Sequence, residues 1–162
     1  MKNLMNKEYC IMPDNPPIWR NKRVYGTVRH EVFFGVKNRQ KSIEDGLVIF
    51  LTPDLHNMDK KKAIHFNIKF DKETKMFAES VWLMYYNKTI DDFIKRYGRN
   101  YIMNYFEYYK ETWVPIIKQH LKNAETYEIK KEIKTRFYKN IQLNERQKDV
   151  LWKQITFEAD VC

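Results

Sequence analysis

Val24-Tyr25-Gly26-Thr27-Val28-Arg29-His30-Glu31-Val32-Phe33-Phe34 is rich in β-branched and aromatic residues and reads as a β-strand, which Gly35 ends. A polar connection, Lys37-Asn38-Arg39-Gln40-Lys41-Ser42, leads through Gly46 to a second strand, Leu47-Val48-Ile49-Phe50-Leu51, stopped by Pro53. Two strands joined over that length predict an antiparallel hairpin with a wide loop. From Asp71 the hydrophobic period changes. Phe77, Val81, Met84 and Tyr85 follow the i, i+4, i+7, i+8 spacing of an amphipathic helix. Thr89-Ile90-Asp91-Asp92 is a capping-box start for a short helix ending near Gly98. A hairpin followed by helices makes the fold class α+β.

Outward from this core the chain changes character twice. Residues 1–22 hold three of the five prolines and predict an irregular arm, because proline fixes φ and removes a backbone donor. After Tyr101 the pattern is wholly helical. Phe106, Tyr109, Trp113 and Ile117 form one stripe, with Pro115 forcing a kink or a break within it. Ile129, Ile133 and Phe137 form another, and Asn144 and Gln147 cap a last helix carrying Val150, Leu151 and Ile155. The expected organisation is a mixed region over 1–103 and an all-helical extension over 104–162.

The chain of 162 residues is long enough for a proper core, and its 15% aromatic content supplies large side chains to fill it. Lys and Arg number 30 against 21 Asp and Glu, a net charge of +9. Such a surplus attracts polyanions, of which nucleic acid is the commonest, although a solubility surplus accounts for it equally well. Two cysteines, Cys10 and Cys162, make no disulfide framework and fit a reducing compartment. The N-terminus lacks the apolar stretch of a signal peptide, and no run approaches a membrane span. A cytoplasmic location and no membrane partner are expected.

Three of the four histidines fall between positions 30 and 65. His30 lies late in the first strand, His56 just past the second, and His65 in the following segment. An antiparallel hairpin brings the end of its first strand near whatever follows its second, so these imidazoles can meet around one phosphate or one metal ion. Imidazole is a common transition-metal ligand and the natural base near neutral pH. The plainer account makes each a surface or core residue with satisfied nitrogens.

The local wording favours the first account. Arg29-His30-Glu31-Val32-Phe33-Phe34-Gly35, Asn38-Arg39-Gln40-Lys41-Ser42, Gly46 to Asn57, Ile64-His65-Phe66-Asn67 and Thr89 to Ile102 stand in an order that resembles the small HNH-type endonuclease-like proteins of bacteriophages and prophages. These are a branch of the ββα-metal nucleases, and the resemblance covers roughly residues 8–103. It implies a ββα-metal, hairpin-plus-helix core in a bacterial host cell. It further implies His30 as the general base, Asn38 as the residue orienting that imidazole, and His56 as a ligand of catalytic Mg²⁺ or Mn²⁺. His65 matches a further family histidine, for metal or phosphate contact.

This sequence departs from the family in two places. Many members carry histidine where Arg29 stands; arginine cannot ligate a metal but can clamp a phosphate. Glu31, two residues on and so on the same strand face, is a candidate substitute metal ligand. The family's structural zinc also lacks its ligands, for Cys10 stands alone while Pro13, Thr52 and Leu55 fill the other three places. No structural zinc is expected, with Leu55 packing against Trp19 and Phe50 instead.

Arg29, Arg39, Lys41 and the run Lys60-Lys61-Lys62 are the candidate nucleic-acid contacts, though a lysine run is more often a solvated face. Two functions follow. One is a metal-dependent HNH-type endonuclease hydrolysing DNA. The other is a catalytically degenerate relative that binds nucleic acid or protein, such as a phage anti-defence inhibitor of a host nucleic-acid-targeting system. In either case the helical extension suits a homodimer or a host or phage protein partner.

Overall fold

The computed structural model describes residues 3, 5, 23 and 25–157. The proline-bearing arm, Cys10, Pro13, Trp19 and the expected strand start at Val24 lie outside the described residues. The fold is mixed α+β, mostly helical, with one two-stranded antiparallel sheet. Strands β1 (Val28–Glu31) and β2 (Val48–Leu51) pair His30 with Ile49 and Arg29 with Phe50. Both are shorter than the hydrophobic runs suggest. Tyr25 and Gly26 form a turn, with Gly26 at φ 78°. Beyond β1, the Ser42 hydroxyl replaces a partner strand: Ser42 Oγ accepts from Phe33 N at 3.0 Å and donates to Phe33 O at 3.2 Å.

The connection between the strands is a helix rather than a wide loop. Helix α1 (Val36–Asp45) contains the whole polar segment. Its residues are mostly straight-chain helix formers. Gly46 ends it in the left-handed region (φ 75°), while Leu47 N closes onto Ser42 O at 2.7 Å. Only Ser42 and Asp45 of α1 are buried, which explains why no apolar period announces it.

After β2 comes a single wide π-helical turn, Asp54–Met58, and then α2 (Ile68–Tyr86), whose start Asn67 caps by accepting from Phe70 N. Helix α3 (Ile90–Tyr97) has the expected capping box, with Thr89 and Asp92 bonded reciprocally, and ends at Gly98. Asp45 binds the end of α1 to both helices. Its carboxylate accepts from Trp82 Nε1 (2.8 Å), Tyr97 OH (2.7 Å) and the Arg96 guanidinium (3.0 and 3.1 Å).

The remaining helices are α4 (Tyr105–Tyr108), α5 (Val114–Asn123), α6 (Tyr127–Asn140) and α7 (Glu145–Phe157). Between α4 and α5 the chain widens into a π-helical stretch over Tyr109–Trp113, and Pro115 sits in the first turn of α5. The missing N–H of Pro115 is therefore accommodated by a changed helical register. Tyr109, Trp113 and Ile117 are buried as the stripe predicts. So are Ile133, Phe137, Leu151 and Ile155, whereas Ile129 and Val150 are exposed. The hydrophobic cluster runs without a break from the hairpin to α7. Trp113 stacks on Phe77 of α2 at 5.3 Å and 10°, and its Nε1 donates to Ser80 Oγ. Fully buried Glu79 accepts from Tyr101 N and from Tyr105 OH, fastening α2 to the segment before α4.

Candidate metal centre

Strand alternation sends His30 to one face of the hairpin and its neighbours Arg29 and Glu31 to the other. His30 is 2% exposed. His56 lies in the π-helical turn that follows β2, where its N–H donates to Thr52 O. The chain then reverses on Asp59, whose carboxylate accepts from Lys61 N and Lys62 N and lies below its usual range because of those two bonds. Ile64 N donates to Leu55 O at 2.8 Å, which returns the chain alongside the turn and sets His65 beside His56.

The three rings meet. Centroid separations are 5.5 Å for His30–His56, 5.1 Å for His30–His65 and 4.8 Å for His56–His65. One nitrogen from each lies within 4.8 Å of the other two. His56 Nε2 and His65 Nε2 are 3.3 Å apart. Two nitrogens bound to one tetrahedral ion at the usual Zn–N length are separated by about 3.3 Å, so this pair already has ligand spacing. The same contact also suits an N–H···N bond between the two rings, but that does nothing for the third. Buried His30 Nε2 has no hydrogen-bond partner among the described residues. A buried polar atom without a partner calls for an explanation, and an ion between three imidazoles supplies one.

Burial and neighbouring positive charge disfavour protonation of His30 and His56. Burial, then the positive fields of His65, His56, Lys75 and Arg39, hold the His30 pKa down at about 3. His56 is lowered as well, by burial first and His65 second, with Glu31 and Asn57 acting the other way. Neutral imidazole carries the lone pair that a metal needs. A nitrogen that protonates only near pH 3 is a weak general base at neutral pH. The environment of His30 thus suits a ligand better than the base its sequence position implies.

The other expected site residues are placed as follows. Glu31 is outside the cluster: Oε1 accepts from Arg29 Nε at 2.8 Å and Oε2 from Arg39 Nε at 3.2 Å. Its carboxylate is committed to two guanidiniums, and among the described residues the candidate ligand group comprises His30, His56 and His65. Asn38 stands in the first turn of α1, where Nδ2 points to the Tyr97 carbonyl at 3.5 Å rather than to an imidazole. Lys41 donates to the Arg96 carbonyl at 2.5 Å and so has a structural partner. Lys60, Lys61 and Lys62 are exposed on the segment that joins His56 to His65. Leu55 is half-buried against the hydrophobic cluster.

The sequence gives no sign that Lys75 and Phe34 stand beside the histidines. The Lys75 ammonium sits 4.2 Å above the Phe34 ring, and Phe34 in turn packs on His30 and His65. Lys75 pairs with Asp71 one helical turn earlier, at 2.6 Å. Only that i, i+4 spacing is visible in the sequence, and it does not point to the histidines. Scans against protein-family models, curated proteins and solved structures each gave no match to this chain.

Proposed function

We propose that the protein is a divalent-metal-dependent phosphodiesterase, an HNH-type endonuclease acting on DNA, with His30, His56 and His65 as the protein ligands of the ion. The observation that carries this reading is the meeting of three imidazoles, one nitrogen of each lying within 4.8 Å of the other two, at a place where buried His30 Nε2 has no hydrogen-bond partner among the described residues. The order of sequence motifs that resembles the HNH proteins supports the choice of phosphodiester as substrate, and the +9 charge supports a polyanion. Three imidazoles without a carboxylate suit Zn²⁺ and the other later first-row ions better than Mg²⁺ or Mn²⁺, which prefer oxygen ligands. A divalent ion on these neutral donors keeps its full charge, and its chemistry would be Lewis-acid stabilisation of a phosphoryl oxygen. The exposed Lys60, Lys61 and Lys62, between His56 and His65 in the chain, add positive charge to that segment.

One observation favours a second reading, a binding protein descended from such a nuclease. Asn38 and Glu31, which would complete a catalytic set, are both engaged elsewhere. The two readings separate in one experiment. Purified protein is stripped with chelator, reloaded with Zn²⁺, Mn²⁺ or Mg²⁺, and tested for plasmid nicking beside His56→Ala and His65→Ala. The endonuclease reading expects cleavage with a transition ion and its loss in both variants. Ion uptake without cleavage selects the binding protein, and no ion uptake overturns the metal centre.

A further inference from the structure

On the face of β1 away from His30 lies an open groove of about 650 Å³ lined by Arg23, Thr27, Arg29, Glu31, Arg39 and Phe50, with Val28 at its edge. Three guanidiniums surround it against one carboxylate. Glu31 is 6% exposed and uses both oxygens to hold the Nε atoms of Arg29 and Arg39. Each of these arginines therefore keeps both terminal NH₂ groups as donors, and among the described residues none of them has an acceptor. Pairing through Nε fixes the guanidinium planes while leaving their outer edges open, which is the geometry for bidentate capture of phosphate oxygens. Arg23 adds a third positive charge, with no carboxylate paired to it among the described residues. Phe50, the cross-strand partner of Arg29, gives the groove an apolar wall on which a sugar or a base can rest.

We infer that this groove binds the phosphodiester backbone of a nucleic-acid strand, with Arg23, Arg29 and Arg39 as phosphate contacts and Glu31 as the residue that positions two of them. Its service to the metal centre rests on the phosphodiester reading above; its ability to bind does not. The groove and the histidine cluster share one strand, β1, which gives Arg29 and Glu31 to the groove and His30 to the cluster. The arginines would hold flanking phosphates and contribute orientation rather than chemistry.

The test uses the full chain in chelator, so that no metal contributes. Fluorescence anisotropy with a labelled 20-nucleotide single strand and its duplex is followed from 50 to 200 mM salt. Arg23→Ala, which removes no described contact, should weaken binding about tenfold, as expected for a lost charge-assisted bond. It should also reduce the slope of log affinity against log salt by about 0.7–0.9. Arg39→Ala should do the same, and because it also releases Glu31, its thermal midpoint is measured alongside; Arg23→Ala decides if Arg39→Ala unfolds. Lys131→Ala, an exposed lysine on α6, should leave binding unchanged. Wild-type-like binding by Arg23→Ala, or an equal loss in Lys131→Ala, overturns the groove. Co²⁺ uptake measured on the same variants separates the two proposals. Variant-insensitive DNA binding with normal uptake refutes the groove alone, while groove-dependent binding without uptake refutes the metal centre alone.

Discussion

Acid should destabilise the metal-free protein, and His30 should supply a separable share of that loss. Its folded pKa of about 3 lies below the ordinary value of 6.5, so the unfolded chain takes up this proton first as pH falls. The stabilisation that follows from keeping His30 neutral is complete above pH 6.5 and drains away as pH falls toward 3. At 1.36 kcal/mol per pH unit the full span is worth about 4–5 kcal/mol, and the part lost between pH 7 and pH 4 is about 3 kcal/mol. Little solvent discount applies, since the ring is 2% exposed. His30→Gln removes the titration while keeping a polar side chain of similar size. Urea unfolding of wild type and His30→Gln in chelator, at unit steps from pH 7 to pH 4, isolates the term because carboxylate titrations common to both cancel. The wild type should lose about 3 kcal/mol more than the variant over this range. Parallel stability curves would show that the folded protein accepts the proton at no cost, and the burial argument would fail.

Four other outcomes follow from the packing and the site. At a free Zn²⁺ concentration one hundred times its dissociation constant, the wild type at pH 7 should gain about 2.7 kcal/mol of unfolding free energy and His56→Ala much less, as read by thermal denaturation; equal gains would remove His56 from the ligand set. Trp113→Ala should cost about 3–5 kcal/mol, and a double-mutant cycle with Phe77→Ala should show about 0.5–1.5 kcal/mol of coupling from the stacked pair; additive losses would mean that the rings do not support each other. Thr89→Ala, which dismantles the α3 capping box, should cost about 1 kcal/mol in urea, and an unchanged midpoint would deny the cap its role. Leu55→Ala should cost roughly 1–2 kcal/mol, less than the 2–5 of a fully buried leucine because the side chain is only half-buried; no change would mean that it contributes nothing to the cluster.

The parts of this fold legible in the sequence are those with a local signal. Thr89 and Asp92 announce a helix start by their spacing, and the same two side chains form the box in the structure. The buried stripe of Tyr109, Trp113 and Ile117 was visible because its spacing survives the π-helical widening. Helix α1 was not legible, for it buries only a serine and an aspartate and so has no apolar period. Its one sequence sign is Gly46, which follows a run of good helix formers and takes the left-handed conformation of a helix end. The proximity of His30 to His56 followed from hairpin logic and is present. The partners of Asn38, Glu31 and Lys41 were hidden because each is set by a residue distant in sequence or by a competing charge: Tyr97, Arg39 and Arg96.

The same long-range partners explain how the three imidazoles are held. His30 is on a strand only four residues long, and a lone two-stranded hairpin is marginally stable in water. Here the strand is extended by Ser42, whose hydroxyl bonds both backbone groups of Phe33, and Phe33 is locked into Phe93, Tyr97 and Tyr101 at 4.4–5.6 Å. Asp45 then ties the far end of α1 to α2 and α3. On the other side, Ile64 N to Leu55 O joins the turn carrying His56 to the segment carrying His65. Each histidine is thus placed by hydrogen bonds and aromatic packing among the protein's own residues. An ion bound as proposed would then draw little on folding, unlike in domains that fold only around their zinc. The burial that makes His30 a poor base also prevents it from protonating away its lone pair, so the arrangement that costs stability in acid keeps this imidazole neutral at neutral pH.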